Sequence, residues 1–168
     1  IQQKITIHRS VPSIFRHLVS TLTGREEFPN LRLIYSAGDS ASWTDIESYK
    51  KHFSPNCLFV NGLGSTEALT FRWYFMDQET PIAGSSVPVG YPVGDKEVVV
   101  IDEDGNKAGF NQIGEIAVKS GYLSPGYWNR PDLTRAAYQF DSRGGEERIY
   151  LTGDIGRMLP DGCLLHLG

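Results

Sequence analysis

The stretch "NGLGSTEAL", Asn61 to Leu69, follows directly on the apolar run "CLFV". Glycines at 62 and 64 free the backbone for positive φ and close approach, so that consecutive N–H groups can line a concavity that binds an anion. The segment then adds hydroxyls and a carboxylate. Glycine and serine also dominate plain turns, so the stretch alone leaves two readings open: a strand-to-loop turn, or a loop that holds a phosphate and a metal ion. The flanking sequence decides between them.

Upstream, strand and helix patterns alternate. "KITIH" (Lys4 to His8) reads as a strand, and Val11, Ile14, Phe15, Leu18, Val19 and Leu22 then recur at amphipathic-helix spacing, with Ser10 as N-cap and Pro12 in the first turn. "LRLIYS" (Leu31 to Ser36) is a second strand. Ser42 and Asp45 form a capping box ahead of a helix whose Trp43, Ile46, Tyr49 and Phe53 share a face, and "CLFVN" is the third strand. Such alternation predicts parallel pairing through right-handed crossovers, with all three strand C-termini on one sheet edge. Ligands bind at that edge in open α/β sheets. The segments leaving it are "HRS", "SAGDS" and "NGLGSTE".

Beyond Pro81 the pattern changes. The Gly/Pro/Ser-rich "TPIAGSSVPVGYPVG" reads as a boundary, and "KEVVVID", "GEIAVKS", "RIYL" and "CLLHL" follow as strands around one short helix, "RPDLTRAAY". The fold class expected is therefore α/β: a parallel βαβαβ part over residues 1–85, then a smaller β-rich, barrel-like subdomain over 86–168. No internal repeat interrupts this order.

Composition narrows the function classes. With 16 basic and 20 acidic residues, a formal charge of −4 and no basic stripe, nothing favours a nucleic-acid or anionic-membrane partner. No apolar run is long enough to span a bilayer and no leader pattern opens the chain, so the expectation is a cytoplasmic protein. Cys57 and Cys163 have no paired spacing and read as buried thiols. The chain begins at Ile1 and stops just after a strand, which is read as a piece of a longer polypeptide.

Two nucleotide motifs are excluded. No glycine pair leads into the Lys-Ser/Thr of a Walker A loop, and the third glycine of a dinucleotide fingerprint is replaced by Glu67. What remains is a glycine segment ending in Thr66, whose hydroxyl can donate to a phosphate, and Glu67, whose carboxylate suits Mg²⁺. In "YLTGDIG" (Tyr150 to Gly156) a Thr-Gly corner holds Asp154, and one carboxylate can accept both hydroxyls of a ribose.

Taken together, "LRLIYSAGDSAS", "NGLGSTEAL", "VPVGYPVGDKEVVVIDEDG", "GEIAVKSGYLSPGYWNRPDLTRAAY" and "RIYLTGDIGRMLPDGCLLHLG" resemble, in order, the motifs of the adenylate-forming superfamily. That superfamily includes nonribosomal peptide synthetase adenylation domains, acyl- and aryl-CoA synthetases and luciferase, and "YWNRPDLT" looks most like the peptide synthetase branch. The resemblance implies an ATP-dependent ligase that joins a carboxylic acid to AMP with release of pyrophosphate and passes the acyl group to a carrier-protein phosphopantetheine or to CoA. It implies that Ala37, Gly38 and Asp39 lie along adenine, that Asn61 meets the adenine amino group, and that Gly62, Leu63, Gly64 and Ser65 complete the nucleotide contact. Thr66 matches the phosphate contact and Glu67 the Mg²⁺ ligand, the two residues assigned to catalysis. Asp154 matches the ribose clamp and Tyr150 a neighbour of the nucleoside. Arg9, Tyr35, Ala37, Gly62, Thr70 and Phe71 match the acyl pocket.

Three departures stand out. Leu63 replaces a residue that is usually aromatic and stacks on adenine, Asp39 is one methylene shorter than the usual acid, and Ala37 replaces a glycine. The family's phosphate-loop lysine and C-terminal lysine fall outside these residues, so the chain by itself is expected to be inactive, with the missing N- and C-terminal parts of the polypeptide as partners. The rival readings are an acyl- or aryl-CoA ligase and a degenerate, noncatalytic scaffold.

Overall fold

The computed structural model describes residues 4–140 and 147–168. Its first sheet has the order β1-β2-β3-β4-β5. β1 (Ile7–Ser10), β2 (Leu33–Ala37) and β3 (Leu58–Ser65) are parallel, joined through α1 (Pro12–Ser20) and α2 (Trp43–His52). β4 (Leu69–Met76) and β5 (Tyr91–Pro92) add antiparallel. The expected alternation is therefore present, and the C-terminal ends of β1, β2 and β3 share an edge.

Local chemistry explains the helices, with one correction. Ser42 and Asp45 make the reciprocal capping box of α2. Ser10 does not cap α1: it is the last residue of β1, its hydroxyl lies 2.9 Å from His8 Nε2, and the N-cap is Val11. Pro12 at the first helical position presets φ and makes a side-chain cap dispensable. Both helices cover one sheet face, where Phe15, Ile34, Ile46, Tyr49, Phe59 and Met76 are buried, each large side chain contributing about 2 kcal/mol. Arg16 of α1 grips Asp45 of α2 through two 2.8 Å bonds. Burial opposes ionisation of Asp45, but the Arg16 guanidinium and Ser42 hold its carboxyl below the usual range. The other sheet face exposes Ile7, Leu58, Trp73 and Phe75.

The second sheet has the order β10-β9-β7-β6: β6 (Glu97–Ile101), β7 (Ile113–Ser120), β9 (Arg148–Met158) and β10 (Leu164–His166). β8 (Tyr138–Phe140), entered from the short helix α3 (Pro131–Ala137), also pairs with β9. This sheet is open, which corrects the barrel-like expectation. Closure would require β10 to meet β6; instead Leu164 of β10 exchanges backbone hydrogen bonds with Gly90, the residue before β5. That edge is spent on joining the two sheets.

Arg72 of β4 completes the joint. It is 2% exposed and donates to the carbonyls of Gly90, Gly162 and Val98 at 3.1, 3.1 and 3.3 Å. No carboxylate pairs with it among the described residues, and burial pulls its pKa down to about 10. Cys57 and Cys163 are free and buried as expected, and burial raises the Cys57 thiol to about 11.

The decisive stretch is built differently from a glycine loop. β3 runs through Asn61, Gly62, Leu63 and Gly64 to Ser65 and turns over Thr66–Ala68 into β4, with an irregular register between Leu63 and Gly64. Neither glycine has positive φ; that conformation falls on Leu69, at 54°. A Cβ on Gly62 would lie 2.5 Å from Tyr35 Oη, and one on Gly64 would lie 2.6 Å from the Leu69 carbonyl oxygen. Close approach, rather than left-handed backbone, is what the two glycines supply.

Candidate functional site

The strand ends converge on two adjoining cavities that share Gly38, Gly64 and Ser65. The first, about 390 Å³, lies between the sheets: Asp39, Asn61, Gly62 and Leu63 line it from one side, Thr152, Asp154 and His166 from the other. The second, about 990 Å³, is lined by Arg9, Tyr35, Ala37, Thr66, Thr70 and Lys96, among others.

On the first cavity, Asn61 is 3% exposed and its amide nitrogen donates to the Pro88 carbonyl at 2.9 Å. That bond leaves its side-chain oxygen as an acceptor, the complement of an exocyclic amino group. Asp154 does not sit in a turn at a strand end, as "TGD" suggests. β9 continues through it, because five residues of β9 (Leu151 to Ile155) face three of β7 (Ala117 to Glu115) and the extra length bulges out. Thr152 Oγ1 donates to the Ile116 carbonyl at 2.8 Å and accepts from Asp154 N at 3.1 Å, while Gly153, at φ 78°, donates to Glu115 Oε1 at 2.8 Å. The bulge aims the Asp154 carboxylate across from Asn61 with no hydrogen bond of its own among the described residues. His166 Nε2 approaches it at 3.8 Å, too far for a hydrogen bond, and is buried with no hydrogen-bond partner among the described residues.

Glu67 lines neither cavity. Its Oε1 accepts from Tyr127 Oη at 2.7 Å, and its backbone carbonyl accepts from Ser124 N at 2.8 Å, so the 124–127 loop clasps the hairpin from behind. Burial pushes its carboxyl up, but the Tyr127 hydroxyl, a backbone N–H and Ser65 outweigh this and hold it below the ordinary range. Glu67 is therefore ionised at neutral pH, one residue from Thr66, which is exposed on the second cavity.

The residues singled out from sequence thus fall on the first cavity, on the second, on both in the case of Gly38, Gly64 and Ser65, or, like Glu67, on neither. Gly38, Asp39, Asn61, Gly62, Leu63, Gly64, Ser65 and Asp154 meet at the first cavity. Arg9, Tyr35, Ala37, Thr66 and Thr70 meet at the second. Tyr150 and Phe71 reach neither: they are 5% and 0% exposed in the core over the second sheet, where Tyr150 packs on Tyr138. Gly62 and Ala37, each expected in both pockets, line one apiece: Gly62 the first and Ala37 the second. Sequence reasoning passed over His166, Lys96 and Tyr127. The "PDG" hairpin carried the signal for His166, since its register pairs that residue with Gly156, two places from Asp154; Tyr127 lies sixty residues from Glu67 and left none.

The family described as AMP-binding enzyme matches residues 1–128. The chain belongs to this family. As a member of the AMP-binding enzymes it is 29% identical to surfactin synthase subunit 3 of Bacillus subtilis (strain 168), over 100% of this chain and 13% of that protein. Among solved structures it is similar to the nonribosomal peptide synthetase FmoA3 in its α-methyl-L-serine-AMP bound form, with TM-score 0.88 and 31% identity over 99% of this chain and 19% of that one. It is also similar to PA1221, a nonribosomal peptide synthetase protein containing adenylation and PCP domains, with TM-score 0.81 and 28% identity over 96% of this chain and 32% of that one. The chain thus spans less than a third of the length of each of these relatives. Among the described residues of this AMP-binding family member, no helix is long and apolar enough to cross a membrane.

Proposed function

We propose that this chain is the nucleotide- and acid-binding part of an adenylation domain, which converts a carboxylic acid and ATP into an acyl adenylate and pyrophosphate. The observation that carries the reading is the meeting of Asn61 and Asp154, from different sheets, on one cavity that opens beside a second one lined by Thr66. The first offers an acceptor to an adenine amino group and a carboxylate to two ribose hydroxyls; the second offers hydroxyls and cations to phosphates and the acid.

In this reading one oxygen of the substrate carboxylate attacks the α-phosphorus, and the bond from that phosphorus to the bridging oxygen breaks to release pyrophosphate. Negative charge accumulates as the two anions approach, so donors must be aimed at it beforehand. Thr66 supplies a hydroxyl, Asp154 fixes the nucleoside, and Leu63 packs against the base without the quadrupole of an aromatic ring. Mg²⁺ is held in sites of this kind by one or two carboxylates together with substrate phosphates, and it neutralises phosphate charge. Glu67 would be that carboxylate: it follows Thr66 directly in the turn beside the second cavity and is an oxygen donor of the kind the ion takes. A phosphopantetheine thiol then attacks the acyl carbon and AMP leaves. A carrier protein as its bearer is supported by the likeness to PA1221, which contains adenylation and PCP domains, and the ATP requirement fits a cytoplasmic setting.

The test is acid-dependent exchange of labelled pyrophosphate into ATP by the full-length polypeptide. Exchange is expected, and Glu67→Gln reduces it by roughly tenfold or more. If no acid supports exchange, the reading fails.

A further inference from the structure

The second cavity carries a positive charge imbalance. Arg9 and Lys96 line it, and no aspartate or glutamate does among the described residues. Arg9 is exposed and forms no ion pair among the described residues; its guanidinium lies over the Tyr35 ring, with Cζ 5.0 Å from the centroid. Stacking uses the flat face of the guanidinium and leaves its N–H edges free to meet a carboxylate in bidentate fashion.

The ring beneath it is fixed. Tyr35 is 8% exposed, its hydroxyl pairs with Thr70 Oγ1 at 2.9 Å, and it occupies the space that the missing Gly62 side chain leaves. Arg9, Tyr35 and Thr70 therefore form one connected polar group on the wall of a single cavity. An apolar side chain placed there would strip water from a cation and two hydroxyls and return nothing, whereas an anionic one would satisfy all three.

We infer that the second cavity takes a carboxylic acid with a second carboxylate, in its side chain, received by Arg9 with the Tyr35 and Thr70 hydroxyls. The inference rests on the adenylation reading above and names the substrate class of that site. A cation on this wall could instead serve the ATP phosphates, and the two roles separate kinetically.

Pyrophosphate exchange by the full-length polypeptide is measured with aspartate, glutamate and 2-aminoadipate against asparagine, glutamine and norleucine. The expected result is a kcat/KM at least roughly tenfold higher for an acidic member than for its neutral counterpart. Arg9→Gln raises the KM of that acid by a similar factor and leaves the KM of ATP within about twofold, Arg9→Lys recovers part of the loss, and Thr70→Val shifts the same KM in the same direction. Preference for neutral acids, an unchanged acid KM in Arg9→Gln, or an equal rise in the KM of ATP overturns the inference while leaving adenylation intact. Absence of exchange with every acid overturns both.

Discussion

β3 and β9 bring glycine to opposite sides of the first cavity, and the glycines serve different ends. On β3 the backbone is ordinary and the space is crowded: Gly62 and Gly64 yield room to Tyr35 and to the opposing strand. On β9 the space is open and the backbone is unusual: Gly153 has nothing within 4 Å of its Cβ position but sits at φ 78° inside a bulge. The same residue type thus sets one wall by sterics and the other by torsion. A sequence motif rich in glycine does not say which, and the two kinds of wall fail in different ways.

Substitution separates them. Gly64→Ala places a methyl group against the backbone of Leu69 and Thr70, which has no rotamer to retreat into. The expected cost is about 3 kcal/mol, read by chemical denaturation, and the hairpin of β3 and β4 opens. Full stability in this variant would break the steric half of the comparison.

Asp45 backs the first wall through Arg16, which also donates to the carbonyl of Ser40 on that cavity. Asp45→Ala removes a cap of α2 and the partner of Arg16, at about 2 kcal/mol. Because the folded carboxyl titrates below its unfolded value of about 4, the wild-type contribution is complete above that pH and is lost as the pH falls through the lower, folded value. A pH series of unfolding curves should show wild type and Asp45→Ala converging under acid conditions. A gap that persists at low pH would mean that the pair does not act through its charge.

Gly153→Ala tests the torsional wall, at about 1 kcal/mol for a left-handed backbone, and Gly153→Asn recovers part of it because asparagine tolerates that region. Equal costs for both variants would point to crowding after all. The smallest effect is expected from Tyr127→Phe, at about 1 kcal/mol or less. Its clearer signature is the Glu67 carboxyl, whose titration followed by NMR moves up toward the ordinary range once the hydroxyl donor is gone.

These contrasts also mark how much was legible beforehand. Features written in short-range pattern came through: the parallel alternation, the Ser42–Asp45 capping box and the strands at "GEIAVKS", "RIYL" and "CLLHL". Features that depend on what a residue meets across the fold did not. Arg72 sits in an aromatic-rich strand pattern that says nothing of the carbonyls it joins, and nothing near Gly62 or Gly64 states whether they are needed for φ or for room. The open second sheet was illegible for the same reason, since the strand pattern of β10 does not show that its edge is taken by Gly90. At the site, most of the residues that the motifs single out for a nucleotide meet at one cavity, while Phe71, which alternates with Thr70 on β4, faces the core and Tyr150, ahead of the β9 bulge, packs there on Tyr138.

The most direct test compares ATP affinity, measured by calorimetry on the full-length polypeptide, between wild type and Asp154→Asn. The carboxylate is poised on the first cavity with no other hydrogen bond among the described residues, so its loss should weaken ATP binding by roughly tenfold and leave the KM of the acid unchanged. An unaltered ATP affinity would show that this cavity does not hold the nucleotide.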